Sequence, residues 1–397
     1  MRKIVLLLLL TIISCSCLRA QRKEISQARA DIKNGANLEK SAELMKGLLA
    51  ADSTNHRNDK IYMTWFAAVE KMYAAGNEKL YLKQSYDTAA LFNYAYDMFC
   101  ILEKLDSVET VMSAEGGYKM KYREKNSELL NNYRPNLYYG GSYFVRKGDY
   151  KRGFTLLDEY INTSTHPMFG RFHYADKDTR LQEAAYWATY CGYMNKSPES
   201  ILRHSALAEK DTAKLKYTLR YESEAYHQLN DIGNYLATLK RGFKSYPEFR
   251  YFFPQLIDYY SEKKDYGSAL DVANEALQTD STNILFLFAK STLLLNMEKY
   301  DESMRVTERI LHINDTVPQA YFNMASALLN KVLVLENDVK KNKTEIKALY
   351  TQAMPYMEKY RALAPDQKEK WAPALYRIYL NLNMGKQFEE IDKIINI

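Results

Sequence analysis

The sequence repeats itself every 34 residues in its C-terminal half, and this period constrains the fold more than any other feature. The segment Asp-Tyr-Gly-Ser-Ala at residues 265–269 corresponds to Lys-Tyr-Asp-Glu-Ser at residues 299–303, with Tyr second and a small residue last in both. Four units keep one register without any insertion between their starts. These units begin at Lys216, Arg250, Ile284 and Pro318. Each unit holds two stretches with apolar residues at helical spacing, so we expect a row of helix pairs.

The composition favours helices over an all-β fold. The 397 residues include only 15 Gly and 9 Pro, which is too few for the many turns of sandwiches and barrels. A chain of this length exceeds one compact core, and 47% hydrophobic residues are typical of a folded protein. The 55 Lys and Arg residues against 49 Asp and Glu residues leave a net charge of +6. Three of these basic residues lie in the N-terminal leader, so the rest of the chain carries a still smaller positive charge. Because this charge is too small to attract a polyanion, we expect no nucleic-acid partner.

The placement of small residues within each unit resembles the tetratricopeptide repeat (TPR) family. Position 8, which is small in that family, holds Ser223, Ile257, Ser291 and Ala325. Only Ile257 departs from the pattern. An upstream unit that begins at Arg134 has Gly141 at position 8 and Gly153 at position 20. Small residues at these two positions let the helices of a pair approach closely.

The resemblance implies an all-α fold, a right-handed superhelical solenoid of antiparallel helix pairs. We expect the array to cover residues 134–397, with an insertion near residues 331–349 and capping helices at its C-terminal end. Residues 21–133 are predicted to form a helical N-terminal region of divergent repeats. The order of leader, helical region and array is similar to that of uncharacterised exported envelope TPR proteins of Gram-negative bacteria. That likeness implies a location and no activity.

Residues 1–20 are predicted to be a secretory signal peptide. A basic start precedes an apolar run at residues 4–13, which is too short to span a bilayer. Cleavage after Ala20, before Gln21, is one interpretation. The alternative is a lipobox in which Cys15 becomes a lipidated N-terminus. Both predict an exported protein, periplasmic or associated with the outer membrane, with no membrane contact besides this lipid anchor.

The sequence carries no motif for catalysis, metal binding or cofactor binding. Its six histidines have no zinc-ligand spacing, and neither a phosphate-binding loop nor a nucleophile elbow is present. We therefore expect no enzyme, no metal and no cofactor. Cys100 and Cys191 are the cysteines outside the leader. We favour two free, buried thiols over a disulfide between them.

The first helix of each TPR unit lines a concave groove in this family, so the groove positions are the predicted contacts. These residues are Tyr138, Arg146, Tyr217, Arg220, His227, Tyr251, Phe288, Asn296, Phe322 and Asn330. Aromatic rings together with a few hydrogen-bonding side chains are suited to binding a protein or peptide segment. The family's clamp for a terminal carboxylate is not expected, because Glu224 occupies one of its positions beside Arg220. The leading hypothesis is a non-enzymatic protein-binding scaffold of the envelope; the alternative is a glycan-binding surface lipoprotein.

A short pattern of Asp, then Ser or Thr, then an aliphatic residue, Ala or Thr recurs six times and resembles an O-glycosylation motif of some Gram-negative envelopes. The hydroxyl residues of the pattern are Ser53, Thr88, Ser107, Thr212, Ser281 and Thr316. Helix caps and turns between repeats select the same residue types, so both interpretations stand and both place the pattern in exposed turns.

Overall fold

The computed structural model describes residues 21–395, and none of these residues belongs to a β-strand. The predicted all-α class is therefore confirmed. The predicted leader, with Cys15 and Ala20, lies outside the described residues. The chain divides into two compact units between Ile232 and Gly233.

Unit 1 consists of α-helices joined by short turns. Its helices are α1 (21–33), α2 (Leu38–Ala51), α3 (Asp59–Tyr81), α4 (Thr88–Ala114), α5 (Arg123–Arg146), α6 (Tyr150–Asn162), α7 (Tyr174–Lys177), α8 (Leu181–Met194), α9 (Pro198–Arg203), α10 (Ser205–Ala208) and α11 (Leu215–Gln228). Two 3₁₀ turns, Ser53–Arg57 and Pro167–Phe172, interrupt the series. Helix α5 runs without a break through residues 133 and 134, where the sequence predicted the array to begin.

The boundary between the two units falls after the first residue of α12, so the helices of unit 2 are numbered from α12 onward. Its helices are α12 (Ile232–Ser245), α13 (Phe252–Glu262), α14 (Tyr266–Thr279), α15 (Ile284–Asn296), α16 (Tyr300–Ile313), α17 (Pro318–Leu335), α18 (Val339–Leu363), α19 (Lys368–Asn381) and α20 (Gly385–Ile395). Helices α17 and α18 contain 18 and 25 residues, whereas α15 and α16 contain 13 and 14. A 3₁₀ turn, Glu336–Asp338, joins the two longer helices.

The turn between the helices of a pair has the same backbone conformation in six of the pairs. In each of these six, a left-handed residue with positive φ follows the first helix. These residues are Gly148, Lys196, Asn230, Lys264, Glu298 and Asn383. The left-handed conformation ends a helix and lets the chain reverse. The second helix then begins at a side-chain cap, as where Asp265 accepts a hydrogen bond from the backbone N–H of Ser268.

The small residues of the repeat pack where the sequence predicted. The hydroxyl of Ser303 at position 20 donates to the carbonyl of Ser291 at position 8, over 2.8 Å. Asn323 donates from Nδ2 to the Ser291 hydroxyl over 2.7 Å, which ties α17 to α15. In unit 1, a Cβ atom on Gly141 would lie 2.5 Å from Cγ of Leu157. These contacts leave no room for larger side chains, so the close approach of paired helices explains the pattern.

Unit 1 also holds a buried ionic network around Arg134. Nη1 of this residue lies 2.7 Å from Oδ2 of Asp178, and Nε donates to the hydroxyl of Thr163 over 2.7 Å. The guanidinium lies between the rings of Tyr160 and Tyr174, 3.9 and 3.8 Å from their centroids. Burial raises the pKa of Asp178, but the hydrogen bonds from Tyr160, from the backbone N–H of Arg180 and from Arg134 outweigh burial and lower it. The network thus keeps both charges in an apolar interior.

No helix among residues 21–395 is long and apolar enough to cross a membrane.

Candidate functional site

A group of aromatic side chains in unit 1 lies on the first helices of three successive pairs, α5, α8 and α11, and all of its members except Tyr186 and Tyr221 are half-buried or exposed. We call this group the aromatic ladder. Its members are Tyr138, Tyr139, Tyr186, Trp187, Tyr190, Tyr193 and Tyr221. Helix α8 packs against both α5 and α11, so three helices that are distant in sequence supply one face.

The α5 end of the ladder is joined to α8 by a cation and an acid. The guanidinium of Arg180 lies 5.5 Å from the ring centroids of both Tyr138 and Tyr139. Glu183 accepts a hydrogen bond from the indole N–H of Trp187 over 3.4 Å and another from the Tyr138 hydroxyl. Arg180 also donates to the hydroxyl of Tyr139. The rings are therefore held in fixed orientations at this end.

The α8 and α11 part of the ladder is a chain of ring contacts. Tyr193 stacks on Tyr221 with centroids 4.6 Å apart, and Tyr190 lies 5.9 Å from the same ring. Lys214 reaches over Tyr186 and Trp187, at 4.9 and 5.6 Å from their centroids. Edge-to-face and offset contacts of this kind stabilise beyond the area that they bury.

The ladder presents neutral rings beside positive charges. Burial, and then the hydrogen bond to Glu183, raise the pKa of Tyr138 to about 12. Burial also raises the pKa of Tyr221 and of Tyr186. These hydroxyls therefore stay protonated at physiological pH. Tyr139 is 47% exposed, so part of the ladder is open to a ligand.

Of the predicted groove residues, Tyr138 belongs to the ladder and Arg220 contacts it. Nη2 of Arg220 donates to the hydroxyl of Tyr193 over 3.0 Å. Tyr217 is exposed on the same helix as Arg220, with Nζ of Lys216 5.1 Å from its ring centroid. Arg146 and His227 are exposed at the C-terminal ends of α5 and α11.

The other five predicted groove residues lie in unit 2. Phe288 lines a cleft of 930 Å³ at the N-terminal ends of α13, α15 and α17. Tyr251 caps α13 beside that cleft, and Phe322 packs on Tyr360 with centroids 5.1 Å apart. Asn296 is exposed and Asn330 is half-buried. None of the ten predicted residues is buried, and their role as groove contacts stays a prediction.

The sequence did not predict the contribution of α8. Trp187 and Tyr190 lie in residues 181–211, within the expected array, but no groove contact was predicted there, and Lys214 lies just before the unit that begins at Lys216. The signal that points to them is the alternation of Ala184, Ala185 and Ala188, which are buried, with aromatic residues on the same helix. Small residues on one face direct the large rings to another.

The two thiols are free, and nothing in the geometry makes them reactive. Cys191 is buried and Cys100 is half-buried. Burial raises the pKa of each thiol to about 12, so neither forms a thiolate at neutral pH. Within residues 21–395, no three His, Cys, Asp or Glu side chains are grouped so as to hold a metal ion.

Five of the six predicted glycosylation positions lie in turns or at helix starts, and Ser107 is the exception. Ser107 is exposed but lies within α4, and its hydroxyl donates to the carbonyl of Glu103. The preceding Asp106 is buried and pairs with Arg123 over 2.7 Å. The expectation of an exposed turn at this position is wrong, because the pattern lies within a helix and the Asp106 side chain is buried. Elsewhere Asp52, Asp87 and Asp280 accept backbone hydrogen bonds, as caps do.

No protein-family model matches the chain, and no curated protein matches it. Among solved structures it is similar to the C-terminal part of a TPR repeat-containing protein from Cytophaga hutchinsonii. The TM-score is 0.44 at 10% identity, over 64% of this chain and 93% of that chain. Yeast Tom70 is similar with a TM-score of 0.36 at 12% identity, over 91% of this chain and 89% of that one. The TPR domain of P58(IPK) has a TM-score of 0.30 at 14% identity, over 92% and 98%.

Proposed function

We propose that the protein is a non-enzymatic scaffold of the bacterial envelope that binds a segment of a protein partner along the aromatic ladder. The observation that carries this proposal is the ladder itself. Rings on α5, α8 and α11 are held in place by cation–π contacts and hydrogen bonds, so little side-chain entropy is lost when a partner covers them. The location rests on the leader predicted at residues 1–20.

The chemistry of the ladder suits a protein segment. Tyrosine, tryptophan and arginine are the residue types that carry most binding energy at protein interfaces. Trp187 and Tyr190 offer half-buried rings, and Tyr139 offers an exposed one. Arg180 and Arg220 place guanidinium groups beside these rings, where they orient backbone carbonyls or acidic side chains of a partner.

A crosslinking experiment in cells tests this assignment. A photoreactive phenylalanine analogue replaces Tyr139 in one variant and Tyr81 in another. Tyr81 is 85% exposed in the same unit and lies off the ladder, so it is a matched control. We expect a reproducible envelope protein to be captured from position 139 and not from position 81, and its identity follows from mass spectrometry.

Substitution then links capture to the rings. With the photoreactive residue kept at position 139, the double variant Trp187→Ala and Tyr190→Ala should reduce capture by about tenfold or more, because ring anchors contribute about 2 kcal/mol or more each. Its helical circular dichroism should be unchanged, because both side chains are only half-buried. Equal capture from positions 81 and 139, or capture that persists in the double variant, would exclude the ladder as the interface.

The second candidate function is glycan binding by a surface lipoprotein. It is favoured by the exposed rings of Tyr139 and Tyr217, because sugar faces stack on such rings. It also requires that Cys15 be lipidated. Palmitate labelling that does not depend on Cys15, in a comparison with Cys15→Ala, would exclude the lipoprotein, and a glycan array would test the ligand.

A further inference from the structure

Two adjoining hollows lie in the N-terminal part of unit 1, between α2, the 3₁₀ turn Ser53–Arg57 and α4. Their volumes are 260 and 360 Å³, and they share His56 and Lys104 in their walls. The 3₁₀ turn packs on both α2 and α4, so the structure fixes the walls relative to one another. The ladder residues do not line either hollow.

The floor of the hollows is apolar. Leu49, Tyr62 and Trp65 line the larger hollow, and Val108, Val111 and Met112 line the smaller one. Tyr62 is only 1% exposed, so Leu49 and Trp65 supply most of the accessible apolar wall of the larger hollow. Val111 is 56% exposed although it is aliphatic. Cys100 adds a neutral thiol to the larger hollow, because burial raises its pKa to about 12.

The rim of the hollows is basic. Lys46, Arg57, Lys104 and His56 line them, and no Asp or Glu lines either hollow. Two outer cations have acidic partners that lie outside the lining. Lys46 is 3.7 Å from Glu43, and Arg57 is 2.9 Å from Glu115.

His56 is fixed at the border between the hollows. Its Nε2 donates to the carbonyl of Leu49 over 2.8 Å, at the end of α2. Lys104 is exposed on α4 and lines both hollows. These two residues therefore mark the point where a negative group would contact both hollows at once.

We propose that the two hollows form one binding site for a small amphipathic anion, an alkyl chain that ends in a carboxylate or phosphate, taken up as a free molecule. The apolar floor removes the alkyl chain from water, and the rim of cations neutralises the head group. A peptide fits less well, because its backbone amides would lose water against an apolar floor that offers only the hydroxyls of Ser53 and Ser107. A bilayer surface fits less well, because the apolar side chains line two hollows of 260 and 360 Å³ and do not form one exposed face.

Glycosylation and anion binding would compete for the smaller hollow. Ser53 and Ser107, both predicted glycosylation positions, line the smaller hollow. A glycan on either hydroxyl would occupy the space of the alkyl chain. Glycosylation and anion binding would therefore exclude each other at this site.

Titration with decanoate below its micelle concentration tests the site in the full-length protein. Trp65 lies in the wall of the larger hollow, so its fluorescence should change with saturation, and Trp65→Phe should remove that signal. Decyltrimethylammonium has the same chain with the opposite charge and should not bind. Calorimetry on the same samples gives the affinity independently of fluorescence.

Variants of Lys104 assign the charge. Lys104→Glu should weaken decanoate binding about tenfold, because an attraction to the head group becomes a repulsion. Lys104→Met retains an apolar stem and should weaken binding about threefold. Lys340→Glu makes the same charge change at an exposed position of unit 2 and should leave the affinity unchanged.

Three results would overturn the proposal. The first is equal binding of decanoate and decyltrimethylammonium, which would show that charge plays no part. The second is an affinity that Lys104→Glu does not change. The third is preferential binding of an acidic peptide or of anionic vesicles over free decanoate. None of these results bears on the aromatic ladder, because crosslinking from Tyr139 reports on residues that lie outside the hollows.

Discussion

The two units have different interiors although both are built from helices joined by short turns. The buried charged side chains among residues 21–395 all lie in unit 1, and they are Asp106, Glu109, Arg134 and Glu222. The buried polar side chains of residues 233–395 are uncharged, and they are Thr238, Ser291, Ser303, Thr307 and Asn323. Unit 2 thus buries only uncharged polar side chains, whereas unit 1 buries charged side chains in addition to hydroxyl and amide groups.

The difference shows how the size of a buried polar side chain affects the cost of burial. In unit 2, small residues at positions 8 and 20 of a repeat meet through short side chains, as between Ser303 and Ser291. In unit 1, the long side chain of Arg134 is buried at position 1 of its repeat and carries its charge into the interior, where Asp178 pairs with it. A buried charge is tolerated only with its partner, so we expect unit 1 to be the more sensitive to single substitutions.

The largest expected effect is the loss of the buried cation of unit 1. Arg134→Ala leaves Asp178 without its ion pair and should lower the free energy of unfolding by about 3–5 kcal/mol. The matched control is Arg250→Ala, which changes the same repeat position in unit 2 but removes an exposed side chain. That variant should differ from the parent by less than about 0.5 kcal/mol. Denaturant unfolding followed by circular dichroism measures both, and equal losses would refute the contrast.

The next effect concerns helix spacing. A Cβ atom on Gly192 of α8 would lie 2.5 Å from the backbone nitrogen of Ile201 on α9. Gly192→Ala should therefore destabilise by about 2–3 kcal/mol, because backbone cannot move as a side chain can.

In unit 2, Gly267 is an exposed helical glycine whose nearest neighbour would lie 3.7 Å from an added Cβ. Gly267→Ala should stabilise by about 0.5–1 kcal/mol, through helix propensity. Thermal unfolding of the two variants would show opposite shifts in Tm, and a loss at both positions would contradict this account.

A smaller effect depends on pH and belongs to unit 1. The carboxyl groups of Glu103 and Glu159 face each other between α4 and α6, near Asp106, Asp158 and Arg203. Burial, and then the charge of Glu159, raise the pKa of Glu103 to about 9. The folded chain therefore keeps a proton that the unfolded chain releases above its ordinary pKa of about 4.3. Stability should fall as the pH rises from that value towards 9.

Glu103→Gln tests this dependence because an amide supplies the hydrogen-bond donor without a proton to lose. The variant should be more stable than the parent by about 1–2 kcal/mol near pH 8, with no gain near pH 4.5. Unfolding at several pH values measures the two slopes. Parallel slopes would show that the pair does not hold the proton.

The smallest effect concerns the left-handed residue of the turn. Lys264 of unit 2 has a φ of 58°, and Gly148 has a φ of 75° at the same position of a unit 1 pair. Lys264→Gly should stabilise by about 0.5 kcal/mol, because glycine adopts positive φ without strain. Gly148→Ala should destabilise by about 1 kcal/mol for the converse reason. Differential unfolding measurements distinguish these values from no change.

Much of the fold followed from sequence, and part of the candidate site did. The helix pairs of unit 2 were predictable because their small residues, such as Ser291 and Ser303, recur at fixed spacing. Tyr138 and Arg220 were predicted as surface contacts; Tyr138 belongs to the ladder and Arg220 contacts its Tyr193. Trp187 and Lys214 were missed, because the stretch before Lys216 was not assigned to a regular repeat unit and so gave no groove positions. The hollows were missed because their walls come from helices whose sequences carry no common motif.

The sequence by itself determined which residues form helices, where pairs turn back, and which positions must be small. These properties depend on neighbours within about one repeat, so they are written in local periodicity. Only the tertiary structure decided that Asp178 neutralises Arg134, that α8 completes the ladder, and that Lys104 and His56 share one rim. Each of these contacts joins residues that lie more than 25 positions apart in the sequence. Local patterns carry no information about which charge or ring will meet another across that distance, because packing in three dimensions selects the pair.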